Sequence, residues 1–111
     1  MSVKDSAMKL ANEIRNSKEY KDFRKNMNEV KKDKSCEKLL KEYQDIQIKA
    51  QGYVLRNQEV DKKVIMKLES VGKKVSNNKK LYNYLNSEQK FKSMMDDINK
   101  ILAKSVEKDY K

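Results

Sequence analysis

The chain has 111 residues, of which 40% are charged and 37% hydrophobic, and its formal net charge at pH 7 is +10. Proline is absent and glycine occurs only twice, so the sequence lacks the tight-turn residues that a sheet protein needs. Histidine is absent and cysteine occurs once, which excludes a histidine-based acid–base site, an internal disulfide and a self-contained zinc site. We therefore expect residues 1–111 to form a single all-α domain.

Two amphipathic segments follow one another at the start of the chain. Apolar residues recur at three- and four-residue spacing over 3–14 and again over 20–30, which predicts two helices. The two stripes do not join, because extending the first one would require apolar residues near Ser17, Lys21 and Arg24. Ser17, in the stretch NSKEYKDF, is therefore predicted to cap the second helix, its hydroxyl accepting a backbone amide of the next turn.

A third helix is predicted after the polar stretch KKDKS, whose last residue, Ser35, is a second capping candidate. The apolar stripe of this helix begins at Cys36. We interpret the lone cysteine as a small packed hydrophobe, and a redox-sensitive thiol or cluster ligand is the alternative. Three glutamines share one face of this helix and could form hydrogen bonds across an interface: Gln44, Gln47 and Gln51.

The predicted end of the third helix is Gly52, because glycine suits the left-handed conformation of a C-terminal cap. Residues 52–59 are then predicted to connect to the fourth helix, with Asn57 as its N-cap. The apolar residues 53–55 of this connection are expected to pack back on the helices or against a second subunit, since water is a poor environment for them.

The second half of the chain carries two more apolar stripes. The fourth stripe runs over 60–75 and ends at the polar stretch SNNKK, whose asparagines can cap the next helix. The last stripe continues from Leu81 past a second Asn-Ser pair at Ser87, so one long helix is predicted over about 79–108. The residues around Tyr110 are predicted to be frayed.

Long stripes with few breaks favour long antiparallel helices that form a helical hairpin or bundle and oligomerise through its seam. Glu88 interrupts this seam: we expect it to lie at the edge and to pair with a lysine such as Lys92, and a partner-facing acid is the alternative. The residues predicted to form the core and the interface are Val64, Leu68, Val71, Phe91, Met95, Ile98 and Leu102.

Four lysines flank the break before the last helix, beside two tyrosines, and form a candidate basic patch: Lys73, Lys74, Lys79 and Lys80. Basic residues with neighbouring aromatics can hold single-stranded RNA, so a basic RNA-binding module is one candidate function. Lysine outnumbers arginine 24 to 3, however, and arginine supplies the forked contacts to phosphate. A purely compositional origin of the positive charge is therefore the other explanation.

The sequence shows no glycine-rich phosphate loop, no metal-ligand spacing and no nucleophile motif. The protein is therefore predicted not to be an enzyme and not to bind a cofactor or metal. Charged residues within the first five positions argue against a signal peptide, and no apolar run approaches the roughly 20 residues of a membrane span. We predict a cytoplasmic protein without membrane insertion.

Three stretches, in this order and spacing, resemble the YlbF/YheA/YmcA family of small bacterial helical proteins: LANEIRNSKEYKDFRKN, LLKEYQDIQIKAQG and NNKKLYNYLNSEQKFKSMMDDINKI. The similarity extends from about residue 7 to residue 102. Its most informative parts are residues 17–20 with Phe23, the three glutamines before Gly52, and Tyr84-Leu85 followed by Glu88 and Phe91. Within the family, the chain looks most similar to the short YheA-like branch.

The resemblance implies an all-α fold, homo- or hetero-oligomers and no enzymatic activity. Relatives regulate competence, sporulation and biofilm formation in Gram-positive bacteria. Some do so in a complex that adjusts a membrane-bound endoribonuclease and binds iron–sulfur clusters through cysteines near the C-termini. This sequence has no cysteine after Cys36, and one thiolate cannot hold a cluster that usually takes four. What the resemblance implies is thus a regulatory or adaptor protein that binds itself and other proteins.

Overall fold

The computed structural model describes residues 2–107, and within that range it contains five α-helices and no strand. Numbered in chain order, the helices are α1 (Val3–Arg15), α2 (Lys18–Lys31), α3 (Lys34–Leu55), α4 (Lys62–Ser76) and α5 (Lys79–Glu107). The predicted all-α fold class is confirmed. Lys108, the predicted end of the last helix, and Tyr110, predicted to be frayed, lie outside the described residues.

Side-chain caps explain where the first two helices begin. Ser2 caps α1 through a capping box: its Oγ accepts the backbone N–H of Asp5 (3.1 Å), and Asp5 accepts that of Ser2 (3.3 Å). Ser17 caps α2 as predicted, its Oγ accepting the backbone N–H of Tyr20 at 3.2 Å. The Ser17 hydroxyl also donates to the carbonyl of Ile14 at 2.6 Å, so one side chain serves the end of α1 and the start of α2.

The cap at Ser17 gives a first testable prediction. We expect Ser17→Ala to lower the free energy of unfolding by about 1 kcal/mol, because an amide at the start of α2 loses its acceptor. Ser17→Gly should cost only a few tenths of a kcal/mol, since glycine is a tolerated N-cap. Urea unfolding followed by circular dichroism measures both changes. A loss of no more than a few tenths of a kcal/mol in Ser17→Ala would show that the hydroxyl does not act as a cap.

The start of α3 differs from the prediction. Asp33, and not Ser35, is the N-cap: its Oδ1 accepts the backbone N–H groups of Ser35 (3.1 Å) and Cys36 (3.3 Å). Ser35 lies in the first turn, where its hydroxyl donates to the same oxygen at 2.7 Å. The carboxylate is favoured as the cap because it accepts several hydrogen bonds and its charge complements the positive end of the helix dipole.

The end of α3 also differs from the prediction. Asn57 has the left-handed φ of 55°, and the N–H groups of Asn57 and Gln58 donate to the carbonyls of Val54 (3.0 Å) and Tyr53 (2.9 Å). These contacts form a Schellman motif, in which asparagine takes the position usually held by glycine. Gly52 was wrongly predicted to be this cap, since it lies inside α3 with an ordinary negative φ.

The connection between α3 and α4 is therefore shorter than predicted. Asp61 is the N-cap of α4, its carboxylate accepting the backbone N–H of Lys63 at 2.8 Å, so Asn57 does not have that role. Residues 53–55 belong to the last turn of α3 instead of the connection. Their aliphatic side chains do not pack back on the helices, since those of Val54 and Leu55 are 62% and 77% exposed.

The described chain divides into two compact units, and one of them spans residues 27–84. Within it, α3 and α4 form an antiparallel hairpin: Tyr43, early in α3, lies beside Gly72, late in α4, while Ile46 lies beside Val64, near the start of α4. The predicted helical hairpin is thus confirmed in this unit. Its buried apolar residues are Val30, Cys36, Ile46, Val64, Val71, Val75, Leu81 and Tyr84.

The other unit combines the chain up to residue 26 with the part of α5 that begins at residue 85. Its centre is an aromatic cluster. The ring of Phe91 stacks on Phe23 with centroids 5.3 Å apart and planes 8° apart, and Tyr20 lies 5.5 Å from Phe91 at a tilt of 58°. Because both units take residues from α5, a single domain over 1–111 stays a prediction that unfolding experiments can test.

Candidate functional site

The predicted core and interface residues of α4 lie in the hairpin. Val64 and Val71 are 5% and 3% exposed, and Leu68 between them is half-buried. Val64 shares a cavity with Ile46 of α3, which shows that this face of α4 is turned toward the hairpin partner. The structure therefore brings these three residues together as core, on a face that α3 already occupies.

The predicted interface residues of α5 become more exposed along the helix. Phe91, Met95 and Ile98 are half-buried, whereas Leu102 is 53% exposed. Ile101 is 68% exposed and was not among the predicted residues. Of the seven predicted positions, Leu102 is thus the one whose surface is most available to a partner.

Polar contacts link the starts of α3 and α5. Asn78, one of the predicted capping asparagines, accepts the backbone N–H of Leu81 at 3.1 Å. Its side-chain amide also contacts the thiol of Cys36, with Nδ2 3.3 Å and Oδ1 3.5 Å from Sγ. The ammonium of Lys80 lies 3.3 Å from Oδ2 of Asp33, so an ion pair joins the same two helix starts. Cys36 is 3% exposed, which confirms the interpretation as a packed residue.

The pKa of Asp33 is held far below its ordinary value. The hydrogen bond from the Ser35 hydroxyl is the largest cause, followed by those from the backbone and side chain of Cys36 and from Lys80. All of these groups donate to the carboxylate, so they favour its charged form over the protonated one. The charged carboxylate of Asp33 is consequently part of what stabilises the fold.

A pH dependence of stability follows from Asp33. The folded pKa lies below the unfolded value of about 3.9, so the stabilisation is present above that pH and is lost as the pH falls through the folded pKa. Asp33→Asn keeps a good N-cap and removes the charge. We expect the wild type to lose more stability than Asp33→Asn on acidification below pH ~4, measured as urea midpoints. Ser35→Ala should fall in between, and identical acid profiles would contradict the assignment.

The candidate basic patch is only partly available to a ligand. Lys73, Lys74, Lys79 and Lys80 are all exposed, but Lys80 is paired with Asp33. The positive charge extends along α4, because residues 62–80 contain seven lysines and a single acid. Of the two neighbouring aromatics, Tyr84 is buried at 7% exposure and Tyr82 is 56% exposed, so only Tyr82 is accessible for stacking on a base.

The second Asn-Ser pair lies inside α5, as predicted, and Ser87 is 7% exposed. Glu88 lies 3.6 Å from Lys92, which confirms the predicted pair one turn apart. Pairs of this spacing on a helix contribute little, about 0.3–0.5 kcal/mol. The buried position is Ser87 and not Glu88. The spacing from Tyr84 and to Phe91, three and four residues, is the signal that could have identified it.

Large apolar side chains remain exposed on four helices: Val3 and Met8 on α1, Ile48, Val54 and Leu55 on α3, Ile65 and Met66 on α4, and Ile101, Leu102 and Val106 on α5. Single exposed apolar residues are common in soluble proteins. Ile48 and Leu55 lie seven residues apart on one face of α3, and Leu102 and Val106 lie four apart on one face of α5, so these exposed residues form stripes. Ile48 was not among the predicted residues because it is out of phase with the core stripe.

A cavity of about 230 Å³ adjoins that face of α3. Leu40 and Gln44, which precede Ile48 by two turns and one turn, form its α3 wall. The other walls come from the end of α2 and the start of α5. The complete lining is Met27, Val30, Lys31, Glu37, Leu40, Gln44 and Tyr84.

Two findings concern the described residues as a set. Among helices in the range 2–107, none has both the length and the apolar character required to cross a membrane. Over the same range, acidic residues and cysteine form no group of three or more that could hold a metal ion. The features that the described residues do present are helix surfaces and several cavities, among them the one beside the outer face of α3.

Sequence comparisons place these features in a family. A family model described as control of competence regulator ComK, YlbF/YmcA matches residues 3–107. A UPF0342 protein from Clostridium novyi is 31% identical over 110 residues, covering 99% of this chain and 96% of that protein. A UPF0342 protein from Clostridium tetani is 28% identical over 109 residues, covering 98% and 94%.

Structural comparisons agree with the sequence match. A DUF964 protein from Bacillus stearothermophilus superposes with a TM-score of 0.80 at 19% identity, covering 95% of this chain and 92% of that one. Bacillus subtilis RicA, solved in complex with RicF, gives a TM-score of 0.67 at 16% identity, with coverage of 98% and 96%. Likeness at these identities shows a shared fold, and the family model spans all five helices: the chain belongs to the YlbF/YmcA family.

Proposed function

We propose that this protein is a non-enzymatic, cytoplasmic regulatory adaptor that acts by binding other proteins. The observation that carries the proposal is the exposure of large aliphatic side chains on regular helices, among them Ile48 (67%), Leu55 (77%) and Ile101 (68%). Side chains held on preformed helices offer contact area to a partner at a small cost in ordering. The family description, control of a competence regulator, supports a regulatory role. We propose that this role lies in a process such as competence, sporulation, biofilm formation or RNA processing.

The comparison with RicA supports protein partners in particular. RicA shares the fold and was solved bound to RicF, so this fold is able to present a protein-binding surface. Transfer of that property to the present chain rests on the fold and the exposed surfaces. The identity at 16% is too low to transfer the partner itself.

Affinity capture tests the proposal. A tagged full-length chain, expressed in its own cells, should retain a small set of proteins at near-stoichiometric levels, and nuclease treatment should not release them. Two matched baits remove exposed surface without touching the core: Ile48→Glu with Leu55→Glu, and Ile101→Asp with Leu102→Asp. At least one bait should lose the captured proteins. The proposal would be overturned if the chain retained no protein above the level of an unrelated bait, or if nuclease treatment released all the captured proteins.

RNA binding is the second candidate, and the density of lysine on α4 favours it. Seven lysines and one acid between residues 62 and 80 would release counterions from a phosphate backbone, so RNA affinity should fall steeply with salt. Lys73→Gln with Lys74→Gln should reduce both the affinity and the salt dependence. Lys80→Gln should have less effect, because that lysine is already paired with Asp33. Absence of RNA binding at low salt would eliminate this candidate.

A further inference from the structure

The side of α3 away from the hairpin core carries a second stripe at three- and four-residue spacing. We name it the outer stripe, and its members are Leu40, Gln44, Ile48, Gln51 and Leu55. A helix turns by about 100° per residue, so these five side chains fall in one sector, opposite Ile46, which faces α4. The outer stripe is about 24 Å long at a rise of 1.5 Å per residue.

The outer stripe is accessible along its length. Ile48 and Leu55 are 67% and 77% exposed, and both glutamines are exposed as well. Leu40, at the other end, is half-buried and lines the cavity of about 230 Å³. The stripe thus offers two aliphatic side chains that project and one apolar cavity that can receive a side chain.

The outer stripe is self-complementary. From the midpoint between Gln47 and Ile48, Leu40 and Leu55 are equally distant along the chain, and so are the two glutamines of the stripe. A two-fold axis through this midpoint places leucine against leucine, glutamine against glutamine, and Ile48 beside its own copy. We propose that the outer stripe binds a second copy of this chain, with the two α3 helices antiparallel about this axis.

The glutamines favour a second copy over an unrelated apolar helix. A glutamine side chain both donates and accepts hydrogen bonds, so Gln44 of one copy and Gln51 of the other satisfy each other. An apolar partner helix would cover the same amides without offering a hydrogen bond, which is unfavourable for a buried polar group. In the two-fold arrangement the contact between Gln44 and Gln51 occurs twice, so every glutamine of the outer stripe has a hydrogen-bond partner in the other copy.

The cavity gives Leu55 of the second copy a place to insert. In the antiparallel pairing this leucine lies opposite Leu40, beside the apolar cavity walls formed by Met27 and Val30. Arg56 of the second copy follows directly, and Glu37 lies on the lining of the same cavity, so the charges are complementary. Symmetry repeats this contact, and each copy both gives and receives a leucine.

This interface deepens the proposed adaptor function and rests on it, because it names the surface through which the adaptor binds itself. A helix stripe of about 24 Å covers less area than the interface of a permanent dimer. We therefore expect a dimer that dissociates in the micromolar range, so that monomer and dimer coexist across accessible concentrations.

Sedimentation equilibrium of the full chain, from low to several hundred micromolar, measures the association. Ile48→Glu places two like charges beside the axis and should raise the dimer dissociation constant by about 30-fold or more. Met66→Glu is the matched control: Met66 is 69% exposed on α4, outside the outer stripe, and this variant should associate like the wild type. Circular dichroism confirms that each variant retains its helices.

A charge exchange tests the antiparallel register. Gln44→Glu with Gln51→Glu brings acid against acid and should abolish the dimer, whereas Gln44→Glu with Gln51→Lys brings acid against lysine and should preserve it. A parallel pairing would instead place like charges together in both variants. A dimer that persists with Gln44→Glu and Gln51→Lys, but not with Gln44→Glu and Gln51→Glu, therefore supports the proposed axis.

Three results would overturn the proposal: a monomer at every concentration, a dimer insensitive to Ile48→Glu, or dissociation of both charge variants. An outer stripe that binds only a different protein would also overturn it, by showing that a second copy is not the occupant. None of these results decides the adaptor function. Affinity capture measures the binding of other proteins, whereas sedimentation equilibrium measures only the association of the chain with itself.

Discussion

Leu81→Ala should lower the free energy of unfolding by about 3 kcal/mol, as measured by urea unfolding monitored with circular dichroism. Leu81 has 0% exposure and lies in the first turn of α5, in the unit that contains the hairpin. Truncation removes buried methyl groups and leaves a cavity, and both effects destabilise the folded state. The hydrogen bond from the Leu81 amide to Asn78 involves the backbone and remains, so the loss reports packing alone.

The control for Leu81 is the same substitution at an exposed leucine. Leu102 is 53% exposed, and we expect Leu102→Ala to change the free energy of unfolding by about 0.5 kcal/mol at most. Low protein concentration keeps any association of chains out of the measurement. A loss for Leu81→Ala no larger than that for Leu102→Ala would show that the start of α5 is not packed as described.

The phase of apolar residues was enough to predict the order of the helical segments, two shorter ones followed by two or three long ones, of which the structure has three. Two Asn-Ser pairs have the same letters, yet Ser17 begins α2 and Ser87 lies inside α5, and the phase of the surrounding stripes distinguishes them. This works because a helix must bury one continuous face, so a break in phase marks a break in the helix. The fold class needed nothing beyond that rule and the absence of proline.

Helix ends were harder to predict because several residues compete for each one. At the start of α3, Asp33 and Ser35 are both good caps, and the one that accepts more donors takes the position. At the end of that helix, Gly52 is the better left-handed residue by intrinsic preference. The helix nevertheless continues past Gly52 through the half-buried Tyr53, and it ends where Asn57 adopts the left-handed conformation.

The candidate interface could be predicted only in part. Leu55 and the glutamines were predicted as possible contacts across an interface, whereas Ile48 was not, because it lies outside the core stripe of α3. Leu102, which continues the stripe of α5, stays a predicted interface residue. A second stripe on one helix is difficult to recognise when glutamines alternate with its apolar residues. The cavity beside the outer stripe is lined by residues of α2, α3 and α5. The proximity of these helices is a tertiary contact, which the periodicity of the sequence does not predict.

Phe91→Ala should cost about 2–3 kcal/mol, less than for a fully buried ring because Phe91 is half-buried. The substitution removes the stacked contact with Phe23 and the tilted contact with Tyr20, and each aromatic pair contributes about 0.5–1.5 kcal/mol beyond its buried area. Phe91→Leu keeps an apolar side chain and loses only the ring contacts, so it should cost about 1 kcal/mol. Absence of a measurable loss in Phe91→Leu would show that ring geometry contributes nothing.

Leu81 and Phe91 lie on one helix but in different units, and this makes the pair of alanine variants a test of cooperativity. The helix between them is unbroken, so melting of α5 in one unit should remove its support from the other. We therefore expect one transition in each variant, identical by circular dichroism and by tyrosine fluorescence. An early separate transition in Phe91→Ala, with the remaining helix signal unfolding at the wild-type midpoint, would contradict the predicted single domain over 1–111.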